Sequence, residues 1–160
     1  MATLASVNVG LPAEVPWKDR IVYTGAWKTP VEGPRMVRRL NIDGDGQGDL
    51  GGHGGENRAV LVYQLDSYRH WMGELDRDLH PGDFGENFTV DGLPDDEVCI
   101  GDRYQIGEAL LEVTQQESRA IDWVCASMSR GWPLSWSRTV GPDSIVGYCV
   151  KGTSRPAMTS

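Results

Sequence analysis

The sequence has no long apolar segment and no excess of positive charge. No uninterrupted apolar stretch approaches the roughly 18 residues that a membrane-spanning helix needs, so we expect no membrane partner. The 160 residues carry 15 Lys and Arg against 23 Asp and Glu, which gives a formal net charge of -8. Because a negative surface repels phosphate backbones, this balance argues against nucleic acid as a partner. It leaves room for a local basic pocket that takes one phosphorylated small molecule.

Cysteine is scarce and shows no motif spacing. Cys99, Cys125 and Cys149 are far apart and form no CxxC pair, and together with the three histidines they lack the ligand spacing of a zinc site. Residues 1–5 lack a basic region followed by an apolar core, so no secretory signal is visible. We therefore predict a reducing, cytoplasmic setting. We also predict that Cys99 is a small buried residue of a strand, and nothing beside the other two cysteines indicates a reactive thiol.

Glycine, in contrast, is abundant, with 20 residues in a chain whose length suits one domain. Such a content favours turns and short strands over long helices. Between Gln64 and Leu75, apolar residues recur at the spacing of an amphipathic helix. Alternation and turn signals predict strands at 4–9, 21–23, 36–42, 58–63, 87–90, 97–100, 103–106 and 109–114. The pattern predicts a mainly β, α+β fold with one or two helices, built as a small barrel or a compact mixed sheet.

Two glycine-rich segments carry candidate ligand groups. The run 43–49 begins like a calcium loop, but Gly54 stands where a bidentate Glu is needed, so a polar turn is the stronger interpretation. In the next segment, His53, Gly54 and Gly55 could turn backbone N–H groups towards an anion, and Arg58 could hold a phosphate or carboxylate. The alternative is an ordinary glycine-rich turn with a surface arginine.

A third candidate group follows Phe84 and Gly85. Glu86 offers acceptor oxygens and Asn87 offers both a donor and an acceptor, so the pair could orient a ligand. Alternatively, the two side chains could bond to their own backbone in a turn.

Taken in order, the motifs of residues 3–115 resemble the MOSC-domain family, the type found at the C-terminus of molybdenum-cofactor sulfurases. The resemblance is strongest to the stand-alone bacterial members linked to hydroxylaminopurine resistance. It rests on Thr24–Val31, Asp45–Asp49 with His53–Gly55, Arg58–Val60, the helix with Tyr68 and Trp71, Phe84–Phe88, Cys99–Arg103 and Gly107–Gln115.

The resemblance implies a MOSC-like β-barrel with a pocket for the molybdenum cofactor, a pterin that bears a phosphate. It also implies reduction of N-hydroxylated bases and related small molecules, with electrons from a partner reductase. The metal would supply the redox chemistry while the protein holds the phosphate and excludes competing reactions. By resemblance, the cofactor-binding residues would be Lys28, Thr29, His53, Gly54, Gly55 and Arg58. Glu86 and Asn87 would line or brace the catalytic pocket.

The sequence departs from the family pattern after Gln115. Family members continue with Pro-Arg and then a Cys that would be the thiolate ligand of molybdenum, a metal that soft sulfur suits. Here no Cys occurs before Cys125, so the resemblance assigns no metal ligand, and a catalytically inactive cofactor-binding or scaffold protein is the alternative. We therefore divide the chain into a MOSC-like β-barrel domain, 1–115, and an atypical tail, 116–160.

The tail has a candidate origin in the coding DNA. One synonymous coding choice for residues 128–149, read two nucleotides later, gives a string similar to the family's C-terminal helix region. We interpret the tail as an out-of-frame ending, a hypothesis that the DNA sequence tests. Loss of the family's closing elements would leave a sheet edge and apolar side chains exposed, so we also expect homo-oligomer formation.

Overall fold

The computed structural model describes residues 2–17, 19–117, 147–152 and 155–157. Cys125 and most of the predicted tail lie outside these residues. Within them, the chain forms eleven strands, two α-helices and two short 3-10 helices, at Glu56–Arg58 and Asp95–Glu97. The helices are α1 (Leu50–His53) and α2 (Leu65–Leu75). The strands are β1 (Thr3–Val9), β2 (Ala13–Trp17), β3 (Arg20–Thr24), β4 (Thr29–Pro30), β5 (Arg35–Val37), β6 (Val60–Gln64), β7 (Phe88–Asp91), β8 (Arg103–Ile106), β9 (Ala109–Glu117), β10 (Gly147–Gly152) and β11 (Arg155–Ala157).

Seven strands form the main sheet, in the order β4-β1-β7-β6-β10-β9-β8. All neighbours are antiparallel except β6 and β7, which are parallel and are connected through α2. Strand β10 lies between β6 and β9, with Cys149 opposite Leu61 on one side and Gln115 on the other. Two small sheets, β2-β3 and β5-β11, complete the described structure. The mainly β, barrel-like fold class predicted from the sequence is confirmed.

Two apolar clusters hold the described elements together. In the larger cluster, strand β9 buries every second residue, Ala109, Leu111 and Val113, against side chains from β1, β6 and β7. This alternation is what a sheet with one buried face requires. The smaller cluster lies beneath α2, where Tyr68 and Trp71 contact Tyr63, Leu79 and Phe84. Neither described helix has the length and the apolar composition needed to cross a membrane.

The predicted strand at 97–100 is wrong. The segment leaves its 3-10 helix and enters a turn, in which the Asp102 carboxylate accepts a hydrogen bond from the Cys99 backbone N–H at 2.9 Å. Cys99 is consequently exposed, not buried as its apolar neighbours predicted. The side-chain oxygen of Asp102 here offers the backbone an alternative to a strand ladder.

The predicted tail contributes backbone to the folded structure. Strand β10 is paired on both sides within the main sheet, and β11 pairs with β5. The division at residue 115 and the out-of-frame origin of the tail both stay predictions.

Candidate functional site

A cavity of about 240 Å³ opens beside the main sheet. One wall is the end of β3 and the following residues, 23–26 with Lys28, and the second is the loop 45–49 with His53 and Arg58. The remaining walls come from residues 84, 85 and 87 and from Leu61, Glu117 and Cys149 on the three adjacent strands β6, β9 and β10. Ligand sites commonly occupy clefts of this type, in which apolar walls carry a few polar groups.

The first polar group of the cavity is a buried ion pair between Lys28 and Asp45. The Lys28 ammonium donates to Asp45 Oδ1, and the side chains are only 6% and 1% exposed. Asp45 Oδ1 also accepts the Gly10 backbone N–H at 3.0 Å. Burial lowers the pKa of Lys28, while the charge of Asp45 opposes that shift. Asp45 Oδ2 is buried and has no hydrogen-bond partner within the described residues.

The next two polar residues of the same loop hold the other basic groups in place. Gln47 Nε2 donates to the Arg58 backbone carbonyl at 3.2 Å and so fixes the turn that presents Arg58 to the cavity. Asp49 is the N-cap of α1, where its carboxylate accepts the N–H groups of Gly51 and Gly52 at 3.0 Å each. An N-cap of this kind stabilises the start of a helix, because it accepts hydrogen bonds from backbone N–H groups that have no partner within the helix. Helix α1 ends at His53, which lines the cavity.

The three acids of the run 43–49 therefore have separate partners. Asp43 pairs with Arg38, Asp45 pairs with Lys28, and Asp49 caps α1. No group of three or more potential metal ligands is found among the described residues. These contacts agree with the interpretation of the run as a structured polar loop.

Glycines allow the cavity walls to approach one another. A Cβ on Gly48 would lie 2.7 Å from Thr24 Cα and 2.8 Å from the Tyr23 carbonyl oxygen, and a Cβ on Gly25 would clash with the Gly46 carbonyl oxygen. Any side chain at Gly25 or Gly48 would push the loop 45–49 away from β3. Lys28 and Asp45 would then separate.

A buried carboxyl group supports the cavity from behind. Glu86 is fully buried, and its Oε1 accepts hydrogen bonds from Tyr68 OH and Thr89 Oγ1 at 2.6 Å each, from Gly82 N at 2.8 Å and from Asn8 Nδ2 at 3.3 Å. Oε2 has no partner within the described residues. Burial raises the pKa of Glu86, against the effect of these donors. An uncharged carboxyl group is consistent with the orphaned oxygen, because a buried charge without full pairing is costly.

A thiol lies in the cavity wall on β10. Cys149 is buried, and Gln115 Nε2 donates to its sulfur at 3.6 Å. Burial raises the pKa of Cys149 to about 11, although the Gln115 hydrogen bond and the nearby Arg58 charge act in the opposite direction. The group is therefore a protonated thiol at neutral pH.

The cavity brings together half of the residues predicted for the site. Lys28, His53, Arg58 and Asn87 line it. Thr29, Gly54, Gly55 and Glu86 do not: Thr29 is exposed on β4, and Glu86 lies behind the wall. Gly54 and Gly55 have backbone reasons for being glycine, since a Cβ on Gly54 would clash with the Leu50 carbonyl oxygen and Gly55 has a φ of 98°.

Several residues that line the cavity were not predicted as site residues from the sequence. Asp45, Gln47 and Asp49 carry a usable signal, because polar side chains at alternate positions between glycines indicate a loop that bonds to its surroundings. Cys149 carries none, since its place depends on the pairing of a distant strand. Asn87 has a structural role as well, because its Oδ1 accepts a hydrogen bond from the Leu61 backbone N–H at 3.1 Å and so ties this part of the cavity wall to β6.

Comparison with known proteins identifies the fold and its family. The family model described as MOSC domain matches residues 49–129, about half of the chain. The chain belongs to the MOSC-domain family. The MOSC assignment made from the sequence motifs is thereby confirmed.

Two of the curated relatives of this MOSC chain are bacterial proteins. It is 41% identical over 119 residues to the uncharacterized protein YflK of Bacillus subtilis (strain 168), covering 74% of this chain and 54% of YflK. It is 37% identical over 95 residues to the protein YiiM of Escherichia coli (strain K12), covering 57% of this chain and 42% of YiiM. The crystal structure of YiiM from Geobacillus stearothermophilus has the same fold, with a TM-score of 0.66, 24% identity and coverage of 100% of this chain and 76% of that one. The chain thus spans about half the length of the curated relatives it matches.

Proposed function

We propose that this MOSC protein binds the molybdenum cofactor in the cavity beside the main sheet and belongs to a group that reduces N-hydroxylated bases and related compounds. The observation that carries the proposal is the convergence of Lys28, His53 and Arg58 on one cavity, although Lys28 is distant in the sequence from the segment that carries the other two. Family membership supports the cofactor, because the MOSC fold is associated with it.

The chemistry of the cavity wall fits the cofactor. Lys28, His53 and Arg58 would hold its anionic part, and Arg58 is best suited because Lys28 is already neutralised by Asp45. Cys149 is the one thiol that the described cavity wall offers to a soft metal. When bound, the cofactor supplies two-electron redox chemistry. The chain's own residues would anchor the phosphate, exclude water with Leu61 and Phe84, and brace the wall through Asn87.

The alternative function, a cofactor-binding or scaffold protein without turnover, is favoured by one observation. Cys149 stands on β10 and not in the segment directly after Gln115, and burial raises the pKa of its thiol to about 11. A thiol must lose its proton before it binds a metal. The scaffold hypothesis therefore predicts bound pterin without reductive turnover.

The experiment is to produce the chain in a host that synthesises the cofactor and to measure its molybdenum and pterin content. We expect both groups in the purified protein, and reduction of 6-hydroxylaminopurine when a reductase supplies electrons. Arg58→Met should lose most of the bound pterin, whereas the control Arg39→Met, which removes an exposed arginine paired with Glu56 away from the cavity, should retain it. Pterin without turnover would support the scaffold hypothesis, and absence of both groups would contradict the proposal.

The proposed partners follow from the reaction. Reduction of an N–O bond consumes two electrons and two protons, so an electron-donating reductase and a small N-hydroxylated substrate are required. We propose the cytoplasm as the setting, in agreement with the free thiols of Cys99 and Cys149. Homo-oligomer formation stays a prediction, and light scattering at micromolar protein would contradict it by giving the mass of one chain.

A further inference from the structure

Exposed apolar side chains are concentrated in the segment that builds two walls of the cavity. Of the eight large hydrophobic residues exposed within the described structure, six lie between residues 11 and 50. Tyr23 is the one of these eight that also lines the cavity, and it is 58% exposed. It therefore stands where the cavity meets solvent.

The backbone of Tyr23 is paired within a hairpin, whereas its ring has no aromatic partner among the described residues. Tyr23 pairs with Glu14 across the β2-β3 hairpin, and its carbonyl oxygen packs against Gly48 of the loop 45–49. The aromatic contacts found among the described residues involve other rings. An aromatic side chain loses little conformational freedom when a ligand covers it, because it has only two side-chain torsions.

The interior of the cavity favours a flat ring next to Tyr23. Phe84 is buried and held in place by stacking on Tyr63, with ring centroids 4.4 Å apart and an angle of 28° between the planes. Leu61 and Phe84 thus form an apolar floor, while Arg58 offers a cation that forms no ion pair with the described residues. Arg58 is assigned to the anionic part of the cofactor, so the match to a further ligand rests on the apolar floor and on Tyr23, which suit a planar aromatic ring.

We propose that Tyr23 is a substrate-binding residue that stacks on the ring of a purine-type heterocycle at the mouth of the cavity. The choice of a purine rests on the proposed function, whereas the stacking rests on the exposed, unpartnered ring. Base stacking on an aromatic residue tolerates different bases, because every base presents a π-face. The subsite would accordingly accept purines that differ in their exocyclic groups.

The test is the binding of 2-aminopurine, whose fluorescence is quenched when it stacks on an aromatic ring. We expect saturable quenching with the wild-type chain and with Tyr23→Phe. Tyr23→Ala and Tyr23→Leu should bind roughly 5- to 150-fold more weakly, which corresponds to a stacking energy of about 1–3 kcal/mol. Tyr23→Leu retains apolar bulk at an exposed strand position, so it separates loss of the ring from loss of folding.

A matched control is Ile21→Ala, which removes an exposed apolar side chain from the same strand, two residues away and outside the cavity wall. It should bind 2-aminopurine like the wild-type chain. Equal affinity of Tyr23→Leu and wild type, equal weakening by Ile21→Ala, or no quenching with wild type would each overturn the inference. Because the probe is not N-hydroxylated and binding is read without turnover, these results are independent of whether the chain reduces anything.

Discussion

Replacement of Glu86 by glutamine tests whether the buried carboxyl group is uncharged in the folded protein. Its pKa is raised by burial, so the protonated form is favoured in the folded state. Below the ordinary carboxyl pKa of about 4.3, the Glu86 carboxyl is protonated in both the folded and the unfolded protein, and its contribution to stability is fully present. As the pH rises, only the unfolded chain releases its proton, and the wild-type free energy of unfolding falls. The loss levels off once the pH exceeds the folded-state pKa.

The magnitude follows from linkage. Each pH unit between the two pKa values lowers the wild-type free energy of unfolding by about 1.4 kcal/mol, and Glu86→Gln removes this slope because glutamine does not titrate. The amide oxygen can still accept the four hydrogen bonds of Oε1. Its NH₂ group would replace Oε2, which has no described partner, at a pH-independent cost of about 1–3 kcal/mol.

The assay is urea unfolding of both proteins between pH 4 and pH 8, followed by tryptophan fluorescence. The stability of wild type relative to Glu86→Gln should decline with rising pH and then level off. The Thr89 hydroxyl lowers the pKa of Glu86. Thr89→Val should therefore raise this pKa, and the free energy of unfolding should level off at a higher pH. A pH-independent difference, or one that grows in favour of wild type as the pH rises, would refute the reasoning and show an ionised Glu86.

Three further predictions concern stability and reactivity. Asp45→Asn should lower the free energy of unfolding by about 3–5 kcal/mol in urea titrations, because it leaves a buried lysine without its charged partner. Gly55→Ala should lower the free energy of unfolding by about 1–2 kcal/mol, since Gly55 has a φ of 98°, whereas Gly73→Ala on the open face of α2 should be neutral or stabilising in the same urea titrations. In a background lacking Cys125, a thiol reagent should label exposed Cys99 rapidly and buried Cys149 only on unfolding, so that equal labelling rates would contradict the burial of Cys149.

Local patterns predicted the parts of the fold that depend on neighbouring residues. Helix α2 and strand β9 were predicted closely because their apolar spacing is regular over the whole element. Strand β2 is not among the strands predicted from the sequence, because the prolines at positions 12 and 16 are typical of a loop. Proline is tolerated there because β2 pairs on one side only, with β3, within the described structure.

The candidate site was predictable to the extent that its residues lie in short motifs. Lys28, His53 and Arg58 were found in this way. The role of Asp45 could not be predicted, because its partner lies 17 residues away and the two meet only when the loop packs against β3. Cys149 required knowledge of how strand β10 is inserted, which depends on contacts over more than 30 residues. Periodicity within a segment carries no information about such pairings.

The central place of β10 has a consequence for synthesis of the chain. Strands β6 and β9 do not pair with each other among the described elements, and β10 joins them although it is made about 30 residues after β9 ends. Until β10 has been made, the facing edges of β6 and β9 have no strand partner among the described elements, and such open edges are exposed to chaperones and to other nascent chains. Closure of the sheet between β6 and β9 therefore has to wait until β10 has been made.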